Sequence, residues 1–188
     1  DKKFGEFVSD IEKANKIFLD KMGYVPSLFS YPFGEYSNEM TEYISKNFNI
    51  SFGQHSGVID MNKERHELPR FPINEKYGEL KRFKSIINYF PLEYKTLKPS
   101  QKKLDNKNNP PNFSVEFFKE QKNLDNITCY SNEGDKWEKS RIRINNSKLS
   151  IEFREPFAPR RGRINCSLND NGKWRWFGTQ FTIVKNFK

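Results

Sequence analysis

The chain has 188 residues, 35% hydrophobic and 30% charged, with a formal net charge of +9. Its 18 Phe residues help supply enough apolar side chains for a globular core despite a mean hydropathy of −0.91. No run approaches the roughly 18 apolar residues that a membrane helix needs, and the N-terminus lacks a signal-peptide layout. The sequence therefore predicts neither a membrane span nor an export signal within these residues.

Helical and extended segments alternate in the first half of the chain. Apolar residues at three- and four-residue spacing predict a helix over 5–22 and another around 80–90. A third helix is predicted to start after Ser37, which is a plausible N-cap. Short apolar runs predict extended segments over 28–31, 48–53 and 68–73. This alternation favours parallel strands with helices outside them.

The second half of the chain has a different residue pattern. Residues 95–112 are poor in apolar side chains and end in Pro-Pro, which is typical of a linker. Short segments of period-two alternation follow, separated by turn signals, and they favour an antiparallel sandwich. We therefore predict an α/β segment over 1–94, a linker over 95–112 and an antiparallel β-sandwich-like domain over 113–188.

The loops that follow the predicted parallel strands are the first candidate site. In parallel α/β folds, ligands bind at the carboxyl ends of strands, where such loops gather. The loop residues that could share one cleft are Phe33, Gly34, Glu35, Tyr36, Gln54, His55, Ser56 and Arg70. Structural roles stay open for them: His55 could be a hydrogen-bonded loop histidine, and Arg70 could hold a carbonyl.

Three of these segments carry a resemblance to a known family. In order and spacing, "FSYPFGEYSNE", "FGQHSGVID" and "ELPRFPI" resemble the last third of a polysaccharide deacetylase of carbohydrate esterase family 4. The most similar branch removes N-acetyl groups from β-1,6-linked poly-N-acetylglucosamine. The resemblance covers about residues 1–90 and implies the C-terminal part of a distorted (β/α) barrel.

The resemblance also implies a chemistry. In that family a divalent metal, commonly zinc, polarises the acetamide carbonyl and activates a water molecule, and a backbone N–H stabilises the resulting oxyanion. The N–H of Phe33 would be that donor, with His55 and Arg70 as further catalytic residues. Tyr31, Tyr36 and Gln54 would contact an amino-sugar polysaccharide, and the protein would act in the cell envelope, in the periplasm or outside the cell.

Two departures from the family pattern matter. Ser30 stands where many members have an Arg that orients the base. The Thr-Phe-Asp-Asp and His-x-x-x-His types of segment are absent, and the only two histidines are His55 and His66. We therefore expect this chain alone to bind no metal. An N-terminal fragment or another chain would complete the barrel and supply the zinc ligands.

A second candidate site lies near the C-terminus. Alternation places Trp174 and Trp176 on one face of a predicted strand, where aromatic rings could stack on sugars, and Arg160, Arg161 and Arg163 could hold acidic groups. Core packing of both Trp side chains is the alternative. The corresponding alternative function is a non-catalytic carbohydrate-binding module in the C-terminal β domain.

Two further features leave alternatives open. Cys129 and Cys166 could form a disulfide in an exported protein or remain buried thiols in a cytosolic one. The net charge of +9 together with the aromatic content raises nucleic-acid binding as a third hypothesis. Because the basic residues are not gathered into a recognisable motif, nucleic acid is not among the predicted partners.

Overall fold

The fold is taken from a computed structural model that describes residues 2–184. Within these residues the α-helices are α1 (Lys2–Met22), α2 (Asn38–Asn47) and α3 (Leu80–Ile86). The strands are β1 (Leu28–Ser30), β2 (Ile50–Phe52), β3 (Phe90–Pro91), β4 (Tyr94–Lys98), β5 (Lys103–Leu104), β6 (Ser114–Phe117), β7 (Thr128–Ser131), β8 (Glu138–Lys139), β9 (Arg141–Asn145), β10 (Lys148–Glu152), β11 (Arg160–Asp170) and β12 (Lys173–Ile183). We call residues 2–89 the first region and residues 90–184 the second region.

Local signals determine the ends of the first elements. Gly23 ends α1 in a left-handed conformation (φ 76°), and its N–H donates to the Leu19 carbonyl at 2.9 Å. The predicted N-cap of α2 is confirmed, because the Ser37 hydroxyl accepts from the Met40 N–H at 3.2 Å. Hence the short connections between these elements follow from the sequence.

The first region has a small core beside a parallel strand pair. β1 and β2 pair in parallel, as the alternation predicts, and Phe52 forms a parallel bridge with Leu68. The buried residues of this core are Ile11, Tyr31, Tyr36, Ile44 and Phe48. The C-terminal half of α1 packs less than its apolar stripe predicts, since Phe18 and Met22 are 40% and 57% exposed. The predicted partial barrel stays a prediction.

The second region contains two sheets that share one core. One sheet has the order β4-β6-β10-β9; the other has the order β3-β12-β11-β7-β8, with β5 also paired to β12. Their common core includes Phe113, Val115, Leu149, Ile164 and Phe181. This arrangement is compatible with the predicted sandwich, which likewise stays a prediction.

The segment predicted as a linker contains two strands of these sheets. β4 pairs with β6, and β5 pairs with β12. Leu104 is almost completely buried in the core of the second region. The polar composition of residues 95–112 therefore reflects short strands with few inward side chains rather than a free connection.

A long hairpin forms the centre of the larger sheet. β11 and β12 pair in register from Arg160 opposite Ile183 to Asp170 opposite Lys173. The turn at Asn171 and Gly172 has positive φ at both residues, as tight hairpin turns require. A disulfide joins Cys129 of β7 to Cys166 of β11, directly opposite it.

Candidate functional site

The loop after β1 has an unusual backbone. Phe33 has φ 56° and ψ 6°, a left-handed conformation that costs energy for any residue with a Cβ. The flanking N–H groups are bonded: Gly34 donates to Tyr31 at 2.8 Å and Glu35 donates to Pro32 at 3.1 Å. Within residues 2–184 the N–H of Phe33 has no hydrogen-bond acceptor. The turn thus combines a strained residue with an unpaired donor.

Side chains from β11 and β12 hold this loop, which we call loop 32–36. Arg161 donates to the Phe33 carbonyl at 2.9 Å and to Oε1 of Gln54 at 3.0 Å. The buried Gln180 amide donates to the Gly34 carbonyl. The Arg161 guanidinium therefore joins loop 32–36 to the loop that contains Gln54. The Gln180 amide fixes the peptide that follows Gly34.

The other end of loop 32–36 is held in the same way. Thr182 accepts from the Tyr36 N–H at 3.0 Å, and its hydroxyl donates to the Tyr36 carbonyl at 2.9 Å. Arg160 forms an ion pair with Glu35 at 2.8 Å and lies 4.8 Å from the centre of the Phe33 ring. Although Phe33 is 60% exposed, its backbone is thus anchored by the second region.

His55 is buried and neutral. Its imidazole is 4% exposed, and Nδ1 has no hydrogen-bond partner in the described chain. Burial, together with the positive charges of Lys102 and Arg163, lowers the pKa of His55 to about 3. The side chain lines the cavity between the two regions and does not face solvent.

Arg70, another of the predicted loop residues, is exposed. Its backbone N–H donates to the His55 carbonyl at 3.0 Å, which fixes the extended segment beside residues 53–55. The guanidinium is exposed, and no ion pair to it occurs within residues 2–184. Arg70 is therefore the predicted site residue with a charged group available to a ligand.

Tyr31 and Tyr36 are buried in the core of the first region. The Tyr31 hydroxyl donates to the His66 carbonyl at 2.9 Å, and burial raises its pKa. Burial and the negative charge of Glu67 raise the pKa of Tyr36 well above its usual value, although its hydroxyl forms no hydrogen bond within the described chain. Both rings support loop 32–36, and neither side chain is accessible to a polymer in this conformation.

A cavity of about 140 Å³ lies between the two regions behind His55. Lys102 crosses it, forming an ion pair with Glu67 at 3.4 Å and donating to the Thr179 hydroxyl at 3.1 Å. Burial, with the nearby Glu67 charge, raises the pKa of Tyr94 to about 12. These contacts attach the segment that precedes Arg70 to the second region.

The two predicted Trp residues lie outside the core of the second region. Trp176 packs against Phe71 and Tyr89 of the first region, with ring centres 5.4 and 5.9 Å away. Trp174 is 44% exposed. With Tyr130, Asn165 and Ser167, the Trp and Tyr89 side chains line an open groove of about 290 Å³, which we call the aromatic groove.

The structure brings together one part of the predicted site and separates the other. Phe33 and Gln54 meet through Arg161, and His55 and Arg70 meet through a backbone hydrogen bond. Trp174 and Trp176 lie at the other end of the β11–β12 hairpin. Sequence reasoning missed the roles of Gln180 and Thr182, because no local pattern links them to a loop some 146 positions earlier.

Comparison of the chain with protein-family models, with curated proteins and with solved structures found no match. Within residues 2–184 no helix combines the length and apolarity needed to cross a membrane. The same residues contain no group of three or more His, Cys, Asp or Glu side chains arranged to hold a metal ion.

Proposed function

We propose that this chain is the C-terminal portion of a metal-dependent polysaccharide deacetylase, which hydrolyses N-acetyl groups of an amino-sugar polymer. The observation that supports it most is the unpaired N–H of Phe33 in an exposed, left-handed turn. Attack on an amide carbonyl produces a tetrahedral oxyanion, and a fixed backbone N–H is the kind of donor that stabilises it. The resemblance of the three loop segments to the family supports the same function.

The contacts of the loop support this role. A donor stabilises an oxyanion best when it is already oriented, since no reorganisation is then needed during the reaction. Arg161 and Gln180 hold the carbonyls of Phe33 and Gly34, which belong to the two peptides that follow the Phe33 N–H. We assign Arg70 and Gln54 to substrate contact, whereas we assign no substrate contact to the buried, neutral His55.

The metal ligands would have to come from outside this chain, because the described residues do not fit a zinc site. The exposed edge of β1 offers a place for the part that supplies them. β1 pairs only with β2 among the described strands, and Leu28 is 57% exposed. Parallel sheets normally have both faces covered, and an open edge favours pairing with another strand.

The cell envelope is the proposed location, in the periplasm or outside the cell. The Cys129–Cys166 disulfide supports it, because such bonds form and persist in oxidising compartments.

Carbohydrate binding by the second region without chemistry is the second candidate function. The exposure of Trp174 on the sheet surface favours it over core packing of the Trp pair. This function needs no partner chain and no metal, whereas the deacetylase needs both.

The test of the first proposal uses the protein purified from its natural source. We would measure its intact mass under denaturing conditions, its zinc content and its release of acetate from poly-N-acetylglucosamine. A polypeptide larger than 22.4 kDa or a second chain, with stoichiometric zinc and acetate release, is expected. A single 22.4 kDa species without zinc or acetate release would overturn the deacetylase proposal.

A further inference from the structure

The aromatic groove and loop 32–36 lie on one surface of the β11–β12 hairpin. Along β11, Arg161, Arg163, Asn165 and Ser167 alternate with buried residues and are all half-buried, so they share the outer face. Arg161 lies opposite Thr182, beside loop 32–36, and Ser167 lies opposite Trp176, in the groove. A rise of about 3.4 Å per residue separates Arg161 from Ser167 by about 20 Å.

The composition of the groove favours a sugar over an apolar partner. Trp174 and Tyr130 present exposed aromatic rings, 44% and 45% accessible, which suit the C–H face of a pyranose ring. Ser167 lies between them with a hydroxyl group that can bond sugar hydroxyls, and Asn165 lines the same groove. The groove is therefore both aromatic and polar, as expected for a site that must orient a polar ligand.

The first region forms one wall of the surface between the two ends. Gly178 approaches Ser56 so closely that a Cβ there would overlap the Ser56 carbonyl oxygen. In the amide orientation that satisfies its neighbours, Asn165 donates to the same oxygen at 3.2 Å. Residues 53–57 thus rest on the middle of the hairpin, against Gly178 of β12 and Asn165 of β11, and the half-buried side chains of β11 from Asn165 to Arg161 form the path from the groove.

We propose that this surface binds an extended amino-sugar chain, with one sugar stacked in the aromatic groove and the following units directed along β11 to Phe33. The groove is a remote binding subsite that presents the polymer to loop 32–36. The identity of the polymer rests on the proposed function, whereas the groove and the path rest on the contacts above.

The test is a titration of this 188-residue chain, ¹⁵N-labelled, with β-1,6-linked N-acetylglucosamine oligomers. We expect a disaccharide to shift the NMR signals of Tyr130 and Trp174 only. A decasaccharide should also shift those of Gln54 and Phe33 and bind roughly tenfold more tightly or better, since it occupies further subsites. Equal affinities with no change at Phe33 would overturn the path, and no change at Trp174 with either oligomer would overturn the groove.

Two variants distinguish specific binding in the aromatic groove from nonspecific binding to exposed aromatic side chains. Trp174→Ala should weaken decasaccharide binding by roughly tenfold. Phe118→Ala is the matched control, because Phe118 is equally exposed at 43% but lines a different pocket, with Glu93 and Arg175. Equal losses in both variants would contradict the proposal. Failure of these tests would leave the deacetylase proposal standing, since acetate release and zinc content are measured on the native protein.

Discussion

His55 shows how burial at a single residue makes stability depend on pH. Its pKa is about 3 in the folded protein and about 6.5 when unfolded. Between these values the unfolded state binds more protons than the folded state, so the free energy of unfolding rises with pH. The contribution of His55 to it is complete above about pH 6.5 and is lost as pH falls towards 3. The contribution has a slope of up to about 1.4 kcal/mol per pH unit.

Replacement of this imidazole should therefore flatten part of the stability profile. We expect the free energy of unfolding of His55→Gln, measured by urea titration, to fall less steeply than that of the wild type between about pH 6.5 and pH 3. Between about pH 7 and pH 8 the difference between the two proteins should stay constant, which serves as an internal control. Parallel profiles below about pH 6 would contradict a buried, neutral His55.

At the scale of elements, loop 32–36 depends on the hairpin that holds it. Arg161→Ala removes the donor to the Phe33 carbonyl and to Gln54. Because a hydrogen bond from a charged donor contributes about 1.5–3 kcal/mol, exchange of the bonded amides of residues 34–36 should accelerate by roughly tenfold or more. Hydrogen–deuterium exchange with mass spectrometry would measure this change.

A matched variant controls for the loss of a guanidinium. Arg143 on β9 forms an exposed ion pair with Glu152 at 2.7 Å, and exposed pairs contribute little. Arg143→Ala should leave exchange in loop 32–36 unchanged. If Arg161→Ala did the same, the hairpin would not be what holds the loop.

The predictability of these elements depends on the distance over which their determinants act. Ser37, Gly23 and the Asn171-Gly172 turn are local signals, and the sequence identifies Ser37 as an N-cap. Strand β5 has no such local signal. It lies in a segment whose composition predicts a linker, and it pairs with β12 while its Leu104 side chain is buried in the core.

In the candidate site, too, some features have local determinants and others depend on contacts distant in sequence. Its loop residues follow from strand ends and from the family resemblance. The support of Phe33 by Arg161 joins residues 128 positions apart and has no local signature. Burial likewise distinguishes His55, Tyr31 and Tyr36 from the exposed Arg70, and burial depends on tertiary packing that residue type alone does not determine.

At the scale of the whole molecule, one covalent bond crosses the larger sheet. The Cys129–Cys166 disulfide closes a loop with a sequence separation of 37, which corresponds to about 4 kcal/mol in the chain-entropy account. The double variant Cys129→Ser, Cys166→Ser should lose roughly 2–5 kcal/mol in urea unfolding. Reductant should destabilise the wild type but not the variant; equal stability of the two under oxidising conditions would contradict a structural disulfide.

The position of β12 has a consequence for synthesis on the ribosome. This strand, Lys173–Ile183, pairs with β3, β5 and β11 and also supplies Gln180 and Thr182 to loop 32–36. Contacts so distant in sequence close late, because loop closure must precede them. While the chain emerges, the turn at Phe33 therefore lacks its anchors until β12, the last described strand, has been made. The candidate donor would acquire its final orientation only as the larger sheet is completed.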